Sequence, residues 1–243
     1  MNSLLAQRVY RWLRLQAWLY DVEHDSMHPK YRRLVHALLR FLTRLYSIRY
    51  RVVDPFGIGR KDMKTIRLNL GSGREPLPDW INVDINPFSG ADVLIDLRDP
   101  WPFSENQAQG IYLRHCLEHF SESEAIHTLA KCYRVLAPGK GMRIGVPSLE
   151  CAIQHYLEGD FLFAAWVTDH AKSSGRQFFA YMMDNGNHKT MFDYGYLAEL
   201  LTMAGFSEIW EAGSGKSEVF AASLLSPKDN PGDTLTLYVE CRK

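Results

Sequence analysis

Cysteine is scarce, with four in 243 residues and no Cys-x-x-Cys pair. That spacing rules out a zinc ribbon. With no leader of the secretory type ahead of them, Cys116, Cys132, Cys151 and Cys241 are expected as reduced thiols. Long apolar runs are missing too: Arg8, Arg11 and Arg14 break the most hydrophobic stretch near the start, well short of the roughly 20 residues a membrane span needs. Net charge is absent, since 28 Lys and Arg balance 28 Asp and Glu. The balance hides a division, because residues 1–67 hold 14 basic against 5 acidic residues and the remainder holds 14 against 23. A basic arm suits an anionic surface or the acidic part of its own chain, and an acidic remainder disfavours nucleic acid.

What is present is a globular composition, 46% hydrophobic and 23% charged, sufficient for one large α/β domain with an extension. Residues 1–60 read as a basic, amphipathic helical extension and linker. Leu5, Val9, Trp12, Leu13 and Tyr20 share one helical face, and Leu34, Val35, Leu38, Leu42 and Leu45 form a second stripe. From 61 to 243 the pattern becomes short apolar strands alternating with helices: Ile66–Leu70, Ile81–Ile85, Val93–Ile95, Ile111–Leu113, Met142–Val146, Glu208–Ala212 and Thr234–Glu240. The expected fold is α/β, a three-layer α/β/α sandwich around a mostly parallel seven-stranded sheet. Ser121 and Glu124 make a capping-box pattern ahead of a helix that Pro138 and Gly139 follow, and Asp193 caps a last helix that stops at Gly205. Between the fifth strand and that helix, residues 148–192 exceed an ordinary connection and predict an inserted lid, rich in aromatics and methionine.

The first strand runs into Leu68-Asn69-Leu70-Gly71-Ser72-Gly73, a turn that lets a ligand approach bare backbone. A dinucleotide fold wants glycine at position 76 and an acid about 20 residues beyond the turn. Here Pro76 stands at that position and Asp84 follows Gly71 by only 13 residues. The spacing points away from a pyrophosphate and toward a nucleoside ligand with an amino-acid tail. Asp84 is placed for the ribose hydroxyls, with Ile85 beside it, and Asp96, with Leu97, for adenine.

Four motifs taken together, Leu68–Gly73, Trp80-Ile81-Asn82-Val83-Asp84-Ile85, His115-Cys116-Leu117-Glu118-His119 and Arg134-Val135-Leu136-Ala137-Pro138-Gly139, resemble the class I, seven-stranded S-adenosylmethionine-dependent methyltransferases. Within them the chain is similar to a small bacterial group often found with cell-surface polysaccharide enzymes. The match spans residues 66–210 and leaves residues 1–60 uncovered. Ser72 stands where cysteine is frequent, and Gly139-Lys140-Gly141 where adjacent glycines are usual. The resemblance implies S-adenosylmethionine as cofactor, bound by Gly71, Ser72, Gly73 and Asp84, and it places a histidine at 188. Asn69, Ile85, Asp96, Leu97 and His115 complete the expected cofactor site.

His188 and His115 are the candidate proton acceptors, with His115 equally able to contact cofactor alone. His115 and His119, four apart, suit two metal ligands, but no third stands at matching spacing, so no metal is expected. Glu118 and His119 read as helix-start and packing residues. The expected acceptor is a small molecule or glycan, through a hydroxyl, in the cytoplasm. Residues 1–50 could lie against the inner membrane surface, and nothing sets an oligomeric state. A non-catalytic binder of the same cofactor, acting as scaffold or regulator, is the main alternative, and a nicotinamide oxidoreductase the third.

Overall fold

The computed structural model describes residues 66–86, 89–160 and 173–243. The helices expected in 1–60, and Phe161, Phe163 and Trp166 of the insertion, lie outside those residues. Seven strands form one sheet: β1 (Ile66–Leu70), β2 (Ile81–Asp84), β3 (Val93–Leu94), β4 (Ala108–Arg114), β5 (Gly141–Pro147), β6 (Glu208–Ala212) and β7 (Thr236–Arg242), in the order β3-β2-β1-β4-β5-β7-β6. The first five run parallel and β7 is antiparallel to both β5 and β6. This is the expected α/β class with a mostly parallel seven-stranded sheet. Strands β4 and β5 are longer than their apolar centres suggested, because Gly110 and Gly141 extend the ladder without adding an apolar side chain.

Among the described residues four α-helices accompany the sheet: α1 (Glu122–Val135), α2 (Leu149–Glu158), α3 (Ser174–Met183) and α4 (Tyr194–Met203). None is long and apolar enough to cross a membrane. The capping box forms as expected, the Ser121 N–H donating to Glu124 at 2.9 Å and the Ser121 hydroxyl accepting from the Glu124 N–H. Asp193 caps α4 by accepting from the Tyr196 N–H at 2.7 Å, and Phe206 folds back beyond Gly205 to meet Tyr133 of α1 edge-on.

Side-chain alternation gives the sheet two unlike faces. Met142, Ile144 and Val146 of β5 join Leu68, Leu70, Ile111 and Leu113 in the main core, which α1 and α4 cover. Each such fully buried side chain contributes about 1.5–3 kcal/mol. The opposite face presents Gly141, Arg143 and Gly145, and among the described residues it is covered by the irregular segment 213–235 rather than by helices. Phe220 and Val219 press so closely on Gly110 and Gly141 that an added Cβ would lie 2.5 and 2.3 Å from them. Buried Arg143 pins the segment, reaching both carboxylate oxygens of Asp229 (2.7 and 3.0 Å), Glu240 (3.0 Å) and the carbonyls of Gly213 and Lys216 (both 2.8 Å).

Candidate active site

Strand order reverses between β1 and β4, so the segments leaving their carboxyl ends part company and open a crevice, the place where open α/β sheets bind ligands. The glycine turn leaves β1 on one side of this crevice, and His115 leaves β4 on the other. Gly71 and Gly73 have φ of +65° and +54°, and Gly71 also has no room for a side chain, since a Cβ would meet Cys116 Sγ at 2.4 Å. Packing therefore accounts for Gly71 as much as ligand approach does. At Gly73 nothing lies within 4 Å of an added Cβ.

Asp84, at the end of β2, ties the turn together. One carboxylate oxygen accepts from the Gly73 N–H at 2.7 Å and the other from the Asn86 N–H at 2.7 Å. Burial pushes its carboxyl up, against the pull of those two backbone hydrogen bonds. A carboxylate has about four acceptor positions, so capacity for a ligand hydroxyl is left beside these backbone donors. Ser72 adds a buried hydroxyl oxygen with no hydrogen-bond partner among the described residues. No helix follows the turn: residues 71–80 are turns leading into β2, which leaves no helix N-terminus for a pyrophosphate.

The remaining expected cofactor residues are placed less simply. Asn69 is buried and donates to Asn82 at 2.9 Å, which fixes β1 against β2. Ile85 follows β2 directly and is half-buried. Asp96 is buried with both oxygens on the Arg98 guanidinium (2.7 and 2.8 Å), so the adenine role expected of it competes with an ion pair that the sequence reading did not foresee. The Leu97 side chain lies in the core, and its carbonyl accepts from Trp101 and Lys131.

His115 has φ of +48°, and the other three non-glycine residues with positive φ among those described are Asp or Asn, which tolerate it better. Its N–H donates to Gly145 of β5 at 2.8 Å, which holds the strained backbone in place. Thr236 of β7 donates its hydroxyl to Asp233 at 2.8 Å and so accepts from His115 Nε2 at 3.0 Å. That leaves the lone pair on His115 Nδ1, 3.4 Å from Glu118 Oε1. Arg114, the last residue of β4, is paired with Asp233 at 2.8 Å. Thr236 and Ser148 also line an open hollow of about 510 Å³.

The chain past α3 returns across this edge. The N–H groups of Lys189 and Thr190 donate to the Glu118 carbonyl at 2.7 and 3.2 Å, which sets His188 beside Glu118. His188 Nδ1 donates to the Met182 carbonyl at 2.8 Å, so its lone pair is on Nε2, 3.9 Å from Glu118 Oε1. Burial pushes His188 down from the usual histidine value, which favours its neutral form. The His119 ring meets the His188 ring edge-on at 5.0 Å. Glu118 lies in a short 3-10 turn, Leu117–His119, rather than at a helix start. Burial pushes its carboxyl up, but His115 and His119 outweigh that and hold it below the ordinary value. Only 1% exposed, it was missed as a site residue; the signal was a carboxylate set between two histidines in His115-Cys116-Leu117-Glu118-His119. Thr236 was missed because only the sheet topology brings β7 beside β4's neighbour.

No protein-family model and no curated protein matches the chain. Among solved structures it is similar to a SAM-dependent methyltransferase from Archaeoglobus fulgidus, at 14% identity, 83% of this chain, 94% of that one and a TM-score of 0.46. It is likewise similar to a SAM-dependent methyltransferase from Thermotoga maritima, at 16% identity, 86% and 98% coverage and a TM-score of 0.45. A third is a Haemonchus contortus phosphoethanolamine N-methyltransferase 2 in complex with S-adenosylhomocysteine, at 13% identity, 76% and 50% coverage and a TM-score of 0.42. Likenesses at that level assign no role to any residue of this chain.

Proposed function

We propose that this chain is an S-adenosylmethionine-dependent methyltransferase. One observation carries the reading: at the crevice between β1 and β4, a glycine turn bonded to the Asp84 carboxylate at 2.7 Å is followed by no helix. Such a site offers bare backbone and a hydroxyl-receiving carboxylate while lacking a phosphate-binding helix terminus. That suits a nucleoside with an amino-acid tail and disfavours a nicotinamide dinucleotide. Three of the four sequence motifs resembling class I methyltransferases fall at this edge, and the fourth, Arg134–Gly139, lies at the amino ends of β4 and β5, where the Ala137 N–H donates to the Ala108 carbonyl at 2.8 Å.

Gly71, Ser72 and Gly73 would hold the amino-acid part of the cofactor, Asp84 the ribose hydroxyls, and Asn69, Ile85, Asp96, Leu97 and His115 the remaining wall. When bound, the cofactor supplies a methyl group on a sulfonium, whose carbon–sulfur bond breaks toward sulfur as the acceptor attacks in line. The protein's own part would be to align the acceptor and exclude water, and the insertion at 148–192 is proposed as the lid over it. A hydroxyl acceptor must also lose its proton. His115 Nδ1 and His188 Nε2 carry lone pairs at this edge, and either can take it. The acceptor class proposed is a hydroxyl on a small molecule or a glycan, as in the polysaccharide-associated group. Residues 1–50 are proposed to contact a membrane surface.

Calorimetry with S-adenosylhomocysteine tests the cofactor. Asp84→Asn should weaken binding by roughly tenfold to a hundredfold, as loss of charge-assisted hydrogen bonds does. If the parent chain binds neither S-adenosylmethionine nor its demethylated form, the reading is wrong. Binding without turnover on any hydroxyl acceptor would favour the scaffold reading instead.

A further inference from the structure

Among the described residues, Glu118, His119 and His188 each bring one potential ligand atom to within 4.8 Å of the others. With the histidine rings neutral, the polar atoms that this cluster turns inward are acceptors. Glu118 is a carboxylate 1% exposed, and among the described residues neither of its oxygens has a partner within hydrogen-bonding geometry. His188 uses its N–H on the Met182 carbonyl, and His119 Nδ1 lies 3.2 Å from the Asn187 carbonyl, so the lone pair of each ring belongs to Nε2. His115, at the rim, gives its N–H to Thr236 and leaves another lone pair 3.4 Å from the same carboxylate. Lone pairs converging on a buried carboxylate repel one another unless positive charge lies among them, and leaving such a group unpaired is strongly unfavourable. A histidine whose second nitrogen donates to a backbone carbonyl is also oriented as metal-bound histidines are.

We propose that Glu118, His119 and His188 form a binding site for a divalent transition-metal ion, with zinc the best match. Two imidazoles and one carboxylate are a known donor set for zinc sites that keep an open position, and two imidazoles disfavour magnesium and calcium, which take oxygen. Tetrahedral ligands about 2.1 Å from one ion stand about 3.4 Å apart, so the widest pair in the cluster must draw in by up to about 1.4 Å. His188 Nε2 and Glu118 Oε1, at 3.9 Å, need to close by only about half an ångström. The three residues come from one short turn and from the loop after α3, which the Lys189 and Thr190 N–H groups lock to the Glu118 carbonyl. Binding of the ion stands on these side chains alone; its use in transfer rests on the methyltransferase reading. There the open position suits an acceptor oxygen, whose proton is then held less tightly. His188 would be a ligand, and His115 would be left as the proton acceptor.

The full chain, stripped with EDTA and dialysed, is titrated with zinc chloride by calorimetry and with cobalt chloride by visible absorption, without cofactor. The expected result is one zinc per chain and a visible cobalt band. His119→Ala removes an exposed ring and spares the core, and Glu118→Gln keeps the side chain's size. Each should weaken zinc binding by roughly tenfold or more, while His127→Ala, on the exposed side of α1, should not. Zinc affinity unchanged in His119→Ala and Glu118→Gln overturns the site. So does the absence of saturable binding to the parent, which would mean that the cluster holds only a shared proton. A chain that binds S-adenosylhomocysteine but not zinc loses the ion and keeps the methyltransferase reading; the reverse outcome keeps the ion and loses the reading.

Discussion

His115 pays a conformational cost that glycine would avoid, and the hydrogen bonds to Gly145 and Thr236 hold it where its ring can face Glu118. A left-handed conformation costs a non-glycine L-residue about 1–2 kcal/mol. His115→Ala and His115→Gly both lose the ring, but only alanine keeps the strain. Urea denaturation should therefore show the glycine variant about 1 kcal/mol more stable than the alanine variant. Turnover should fall equally in both, by roughly 10²–10⁴-fold if the ring takes a proton. Equal stability of the two variants would show that the backbone relaxes and stores no strain there. At this scale the sequence showed which residues were chemically able. It pointed to Gly71, Gly73, Asp84, His115 and His188 by type and place in their motifs, but the Arg98 guanidinium on Asp96 depends on a rotamer that no spacing encodes.

Helix α1 joins the site to the core through its first turn. Glu124 closes the capping box and also receives the Lys189 ammonium at 2.8 Å, so one carboxylate ties α1 to the loop that carries His188. Burial would raise the Glu124 carboxyl, but Lys189, the Ser121 N–H and Arg98 outweigh it and lower it to about 2. A carboxyl lowered by folding stabilises the native state above its unfolded value of about 4.3 and loses that contribution as pH falls toward 2. The stability of Glu124→Gln should thus depend less steeply on pH than that of the parent between about 4.3 and 2. Identical acid limbs in thermal melts would show that the pairing contributes nothing. Both ends of α1 and the cap of α4 were legible, because capping boxes and glycine stops are local. The insertion was legible only as a length, since α2 and α3 owe their packing to one another, through Ala152, Tyr181 and Met182.

Across the whole molecule, the sheet's second face depends on one buried cation. Arg143 lies between Asp229 and Glu240, all three within a few per cent of complete burial, and stacks on Tyr238 at 4.2 Å. Removing one partner of such a network leaves buried charge uncompensated, so Arg143→Ala should cost about 3–5 kcal/mol in chemical denaturation. Arg143→Met together with Asp229→Asn and Glu240→Gln should recover part of that loss. No recovery would mean that the network's geometry, rather than the unpaired charge, sets the cost. The sequence by itself determined the strands, the α/β class, the glycine turn and the early acid, because these follow from periodicity and backbone freedom acting within a few residues. The tertiary structure decided the strand order that opens the crevice, the loop that covers the second face, and the meeting of Glu118 with His188 and of His115 with Thr236. Those contacts join residues about 70 to 120 positions apart, and such pairings are set by how helices and strands bury their apolar faces together, a property of the assembled core that no local pattern contains.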